Sequence, residues 1–262
     1  MEQGVRIINC LKHFAWRNYW LAVVFAIFSL CTLGPAFASV VVAFAAPPLV
    51  AVDVGHGLRD SGAVSARGRT EYDFNRVFAG VLAEALLAHQ LRVREINFNG
   101  DIGSLAARPA KAAGSDFFIA VHHDSISESY LKFWDWDGRE MSYTDVKRGF
   151  GLFVSEKSPD LAKSLRCASA MGAMMRRAGF LPTPWHGRKH HAADAENGVW
   201  YYDNLVVLYR TTLPAVLFEA GVIKHREEEL ELLDPERQAL MADALATGVA
   251  ACLFVTEKSV PE

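Results

Sequence analysis

Six short apolar runs, at residues 49–54, 91–96, 117–121, 150–154, 205–209 and 215–218, punctuate the chain, and several are separated by stretches with helical spacing. Runs of this length, rich in β-branched residues and bounded by glycine or polar positions, suit strands buried on both faces. Between the first two, Phe74, Val77, Phe78, Val81, Leu82 and Ala85 recur at intervals of three and four, which predicts a helix over 71–87 with one buried face. Ser158-Pro159 predicts a second helix start, with a capping side chain and a proline in the first turn, and Gly179 its end. A last helix begins at Asp234-Pro235 and carries Leu240, Ala244, Leu245, Val249 and Cys252 on one side. Strands alternating with helices predict a single α/β domain over residues 47–262: a mostly parallel, twisted sheet of about six strands with helices on both faces. Neither an internal repeat nor a low-complexity tract interrupts that unit.

The formal net charge of −3 carries no basic excess, so no nucleic-acid partner is expected. The apolar surplus lies at the N-terminus, where Lys12 and Arg17 precede an uncharged stretch from residue 19 to 33, followed by small residues and prolines. That is the three-part pattern of a secretory signal, with Ala36-Phe37-Ala38 and Ala43-Phe44-Ala45 as cleavage-like triplets. Residues 1–46 are therefore expected to be a signal peptide or, if uncleaved, an N-terminal membrane anchor, since residues 20–52 carry no charge and a span needs about 20 apolar residues. Gly34 and Pro35 break the run and favour cleavage. Both readings put the domain in the periplasm or outside the cell. Only Cys167 and Cys252 remain beyond this segment, each on an apolar helical face where a cysteine reads as a small packed hydrophobe, although an oxidising compartment would permit pairing. Without a Cys-x-x-Cys pattern, any metal here needs histidine and carboxylate ligands.

His56 follows the first run in Asp53-Val54-Gly55-His56-Gly57, where flanking glycines allow a sharp turn. Glu71 lies fifteen positions later at the start of the first helix, with Gly62 and Gly68 as turn points between. His122 ends the 117–121 run and Glu219 ends the 215–218 run. Such strand ends are where an open α/β sheet presents its ligands. Two imidazoles and one carboxylate with an open position make a composition found at catalytic zinc. Taken singly, each residue has a plainer reading: a turn histidine, a carboxylate favoured by a helix dipole, a strand-end histidine. Their joint placement favours the metal site. Glu219, near the metal but not bound to it, would take a proton from the attacking water and pass it to the leaving amine. His123 adjoins His122, and neighbours on a strand point to opposite faces, so one of the two enters the site. The spacing alone leaves open which.

Residues 126–147, rich in aromatics and charge, and residues 181–204, which hold His186, His190 and His191, read as loops. Loops of that length commonly wall a site. Phe133-Trp134-Asp135-Trp136 would either face sugar rings or anchor its loop.

The segment Asp53-Val54-Gly55-His56-Gly57 with Asp60, Gly62-Ala63, Gly68, Glu71 and Asn75 is similar to the first motif of the zinc-dependent N-acetylmuramoyl-L-alanine amidases, which hydrolyse bacterial peptidoglycan. Leu105 and Arg108, the run Phe118-Ile119-Ala120-Val121-His122, and Pro214-Ala215-Val216-Leu217-Phe218-Glu219-Ala220-Gly221 with Glu227-Glu228 resemble its later motifs. The resemblance covers about residues 49–255; each motif is weak alone and the set is specific. It implies that His56, Glu71 and His122 bind one zinc ion and that Glu219 is the catalytic carboxylate. The bond cut would join the lactyl group of N-acetylmuramic acid to L-alanine of the stem peptide. It also implies peptidoglycan as partner, an unidentified activator protein, and action as a monomer. Val54 and Leu58 depart from a usual proline and glycine, and Asn97-Phe98 from a frequent Thr-Arg pair, which bears on loop shape and substrate contacts. The same four residues would also serve a zinc peptidase or carboxypeptidase acting on wall peptides; a non-catalytic wall-binding protein would not need to keep all of them. Some members of the family are held inactive by an inserted helix, but residues 126–147 show no helical period.

Overall fold

The computed structural model describes residues 46–254, so the export segment expected over residues 1–46 lies, but for its last residue, outside the described residues. Strands β1 (Leu49–Val54), β2 (Arg92–Ile96), β3 (Phe117–Asp124) and β9 (Ala215–Val222) form the parallel half of a seven-stranded sheet of order β2-β1-β3-β9-β6-β8-β7. On the far side β6 (Gly151–Val154) runs antiparallel to β9, β8 (Val199–Tyr201) parallel to β6, and β7 (Ala192–Asp194) antiparallel to β8. Strands β1, β3 and β9 are apolar on both faces because both faces are covered, whereas the edge strand β2 carries Arg92, Arg94 and Glu95 and is partly exposed.

The two faces are covered unequally. Val50, Val52 and Val54 of β1, Phe117, Ile119 and Val121 of β3, and Val216, Phe218 and Ala220 of β9 pack under three long helices, α1 (Glu71–Ala88), α3 (Leu161–Arg177) and α6 (Pro235–Phe254), with α5 (Glu228–Leu233) adding Leu232. The intervening residues Ala51, Phe118, Ala120, Ala215 and Leu217 face a smaller core closed by the short helices α2 (Ala107–Lys111) and α4 (Val206–Tyr209). A fully buried side chain of this size contributes about 1.5–3 kcal/mol, so the helical face carries most of the stability. The thinly covered face leaves room at the strand ends for a cavity. Among the described residues no helix is long and apolar enough to cross a membrane.

Five details depart from the sequence reading. The 205–209 run is not a strand but the helix α4, which buries Val207 and Leu208 on the smaller core; a run this short has no period of its own to distinguish the two. The sixth and seventh strands come instead from 181–204, where β8 and β7 extend the sheet. Residues 126–147 contain a hairpin of β4 (Lys132–Trp136) and β5 (Arg139–Tyr143), turned by Asp137-Gly138 with φ of 55° and 70°, the two left-handed residues that a tight hairpin requires. The cap of α3 is Asp160, whose Oδ1 accepts from the Lys163 amide at 3.1 Å, rather than Ser158. Finally, Cys167 and Cys252 are not separate packed thiols: a disulfide joins α3 to α6 across a sequence separation of 85 residues, Cα–Cα 5.1 Å. Closing a loop of that length in the unfolded chain is worth roughly 2–5 kcal/mol.

The hairpin is tethered by its aromatics. Trp134 donates its indole N–H to the Ala66 carbonyl at 3.1 Å, and the guanidiniums of Arg67 and Arg226 each lie 5.2 Å from its ring. Trp134 therefore acts as the loop anchor, while Phe133 stays exposed.

Candidate functional site

Strand alternation decides the histidine pair. Along β3, Phe118 and Ala120 face the smaller core, and His122 continues that face beyond the last covered position. His123 points the other way, buried against Phe74 and Phe78 with ring centroids at 5.4 and 6.2 Å, its Nδ1 2.8 Å from Asn75 Oδ1. Burial pushes its imidazole down to about 3, so it is neutral and structural.

Glu71 enters from the first turn of α1, where Thr70 caps the helix by accepting from the Asp73 amide. Its Oε1 lies 3.0 Å from His122 Nδ1 and its Oε2 3.1 Å from His56 Nε2, and the two imidazole rings meet edge to face at 5.1 Å. One donor atom from each of the three residues falls within 4.8 Å of the other two. Burial opposes ionisation of Glu71, yet hydrogen bonds from His122 and His56 hold its carboxyl well below the usual range. The Ala63 amide donates to Oε2 at 3.1 Å and Asn75 Nδ2 to Oε1 at 3.3 Å. Two imidazole nitrogens and a carboxylate, oriented by partners behind them, are a donor set that fits zinc.

The turn before the site differs from its expected cause. His56 itself takes the left-handed conformation, φ 62°, which is costly for a residue with a Cβ. Asn97 Nδ2 donates to the carbonyls of Val54 at 2.8 Å and His56 at 2.6 Å, and Arg108 donates to the same two carbonyls from Nη1 and Nη2. Asp53, wholly buried, backs Arg108 at 3.5 Å; burial outweighs that cation and pushes its carboxyl up to about 7. Gly55 serves another purpose, since a Cβ there would lie 2.4 Å from the His122 ring. At Gly62, φ 72°, a Cβ would lie 2.5 Å from Glu71 Oε2.

Glu219 on β9 stands in register with His122 of the neighbouring strand. Its Oε2 is enclosed without a hydrogen-bond partner. Burial, then the Asp124 and Glu71 carboxylates, hold Glu219 well above the ordinary carboxyl range, with Lys147 pulling the other way. Lys147, from the segment read as a loop, reaches back to within 2.5 Å of Asp124 Oδ2 and donates to the Ser125 carbonyl at 2.8 Å. His56, Glu71, His122 and Glu219 share one cavity of about 950 Å³, whose apolar wall includes Ile102, Leu105, Val206 and Val207.

Sequence reasoning therefore brought four residues to one place and missed their supports. Asn97 was read as a departure from a motif, Arg108 only as a motif match, and Asp53, Asp124 and Lys147 carried no assigned role. The signal available for Asn97 was its residue type, since asparagine tolerates left-handed backbone at a strand end. His190 and His191, from the 181–204 segment, do not line that cavity: His190 lies against Tyr202 and exposed His191 against Tyr201, ring centroids 4.3 and 4.7 Å apart.

A family model described as N-acetylmuramoyl-L-alanine amidase matches residues 50–251. Among solved structures, the catalytic domain of CwlV, an N-acetylmuramoyl-L-alanine amidase from Bacillus (Paenibacillus) polymyxa var. colistinus, is 25% identical with TM-score 0.61, covering 80% of this chain and 99% of that one. The amidase Ami1 from Mycobacterium smegmatis is 20% identical with TM-score 0.64, covering 79% and 97%. That of Clostridium difficile 630 is 20% identical with TM-score 0.63 over the same shares. At 20% identity these last two speak for the fold alone. No curated protein sequence matches the chain.

Proposed function

We infer the reaction from one premise: the chain belongs to the N-acetylmuramoyl-L-alanine amidase family, whose model spans residues 50–251, and is an amidase hydrolase. We propose that it hydrolyses peptidoglycan at the amide between the lactyl group of N-acetylmuramic acid and L-alanine of the stem peptide. The observation that carries the proposal is the convergence of His56, Glu71 and His122 beside a carboxyl, Glu219, on the adjacent strand.

In this reading His56, Glu71 and His122 hold one zinc ion, which when bound polarises the scissile carbonyl and lowers the pKa of water. Glu219 accepts a proton from the attacking water as the C–O bond forms, then delivers it to the alanine nitrogen as the C–N bond breaks. The products are a lactyl carboxylate and a free L-alanine amino terminus. Asn97 and Arg108 fix the backbone that carries His56, and Asn75 orients Glu71 while engaging His123.

We also propose that the enzyme works in the periplasm or outside the cell, as a monomer. The N-terminal signal pattern and the Cys167–Cys252 disulfide support export, because disulfides persist in oxidising compartments. A protein activator is proposed as well; among the similar folds, the CwlD amidase from Clostridioides difficile was solved in complex with the GerS lipoprotein.

Digestion of purified wall tests the reaction. New L-alanine amino termini without new reducing sugar are expected; free termini within the stem peptide would identify a peptidase, and no product a binding protein. His56→Ala, Glu71→Ala and His122→Ala should each lower zinc occupancy, and loss of zinc from His123→Ala with retention in His122→Ala would overturn the ligand set.

A further inference from the structure

A second cavity, of about 530 Å³, adjoins the catalytic one and shares Asp124, Ser125 and Glu219 with it. Its far walls come from residues 126–147 and 181–204. Trp185 donates its indole N–H to the Val146 carbonyl at 3.1 Å and meets Tyr130 edge to face at 4.9 Å, so the segments are tied together across the cavity. His186 lies beneath, buried, with Nε2 enclosed and without a hydrogen-bond partner, 3.4 Å from Asp124 Oδ2. Gly151 makes room for that ring, since a Cβ there would sit 2.5 Å from Nε2.

The charges in this cavity are sorted. Lys147 is spent on Asp124. Arg188 lies over the Trp185 ring, 3.8 Å from its centroid, and Lys189 donates only to Ser127 Oγ at 3.1 Å; among the described residues neither forms an ion pair. Two exposed cations thus stand at the outer end of a cavity whose inner end is Glu219.

Direction follows from the chemistry. The carbonyl under attack lies at His56, Glu71 and His122, and the leaving nitrogen lies at Glu219, which protonates it. Glu219 lines both cavities, so a nitrogen that it protonates stands at their junction, which puts the muramyl group on the side of His56, Glu71 and His122 and the peptide arm on the side of the second cavity.

We propose that the second cavity is the subsite for the anionic peptide arm of the substrate, with Arg188 and Lys189 recognising a free carboxylate on it. The proposal rests on the amidase reading and extends it to residues outside the family motifs. Aromatic rings of Trp185 and Tyr130 pack along the arm, while the two cations read its charge.

The test compares two substrates of the zinc-loaded full chain: N-acetylmuramoyl-L-alanyl-glutamate with free carboxylates, and its diamide. Wild type should favour the free acid in kcat/KM by about tenfold, the scale for two solvent-screened contacts, with the difference in KM and shrinking at high salt. Arg188→Gln with Lys189→Gln should bring the ratio near one, and Arg188→Lys with Lys189→Arg should restore it. A wild-type ratio near one, or a ratio unmoved in the glutamine variant, would overturn the subsite. If wild type cuts neither compound, digestion of purified wall decides the amidase reading, and binding of L-alanyl-glutamate alone, followed by ligand-observed NMR, decides the subsite: weaker binding to the glutamine variant supports it and equal binding overturns it.

Discussion

Asn97→Gly isolates the clamp that holds His56. Glycine accepts the left-handed backbone of Asn97, φ 62°, so the substitution removes the side chain without adding strain. Three hydrogen bonds disappear: Nδ2 to the carbonyls of Val54 at 2.8 Å and His56 at 2.6 Å, and the Ile102 amide to Oδ1 at 2.9 Å. At roughly 1 kcal/mol each the loss is about 3 kcal/mol, and glycine adds roughly 0.5–1 kcal/mol through the unfolded chain. Arg108 still binds the same two carbonyls, so part of the clamp survives and the fold should persist. A change of 3–4 kcal/mol lowers Tm by roughly 6–16 °C in a domain of this size. The functional consequence is separate: His56 is held in a conformation costing about 1–3 kcal/mol, and weakening its support should let it relax away from Glu71. Zinc affinity should fall roughly 10–100-fold, the range for losing a group that orients a ligand. Chelator competition measures the affinity and calorimetry the Tm. A lower Tm with unchanged zinc affinity would refute the claim that Asn97 positions His56, leaving it a packing residue only.

Glu219→Gln should keep the fold and the zinc while wall hydrolysis falls by roughly two to four orders of magnitude; hydrolysis at the wild-type rate would move the proton-transfer role to another residue. His186, pushed down to about 3 by burial and by Lys147, resists a proton that the unfolded chain accepts near 6.5, so its contribution to stability is full above 6.5 and is lost as pH falls toward 3. A plot of Tm against pH should therefore be flatter over that window in His186→Gln than in wild type, and equal slopes would refute the assignment. Reducing the Cys167–Cys252 bond should cost about 2–5 kcal/mol by denaturant unfolding, and an unchanged midpoint would mean that the bond does not stabilise the fold.

The sequence by itself determined the elements whose physics is local or one-dimensional. The runs at 49–54 and 117–121 became strands because a parallel sheet covered on both faces demands apolar residues throughout, and the run at 91–96 became its edge strand, where Arg92, Arg94 and Glu95 are tolerated. The helix over 71–87 followed from its three-and-four spacing, and the ends of apolar runs marked His56, His122 and Glu219, although β3 and β9 continue past the last two to Asp124 and Val222. Tertiary structure decided what depends on partners distant in the chain. Residues 206–209 form a helix that covers the smaller core with Val207 and Leu208, a fact about packing that no short apolar run contains. His122 rather than His123 faces the cavity because β3 enters the sheet in one register, which sets every side chain on the strand at once. The left-handed turn at His56 is sustained by Asn97 and Arg108, 41 and 52 residues further along, and Asp124 finds Lys147 only after the intervening hairpin folds back. Buried hydrogen bonds and ion pairs are specified by where the chain returns, so sequence spacing is silent about them, and they are what aim the four polar residues at one point.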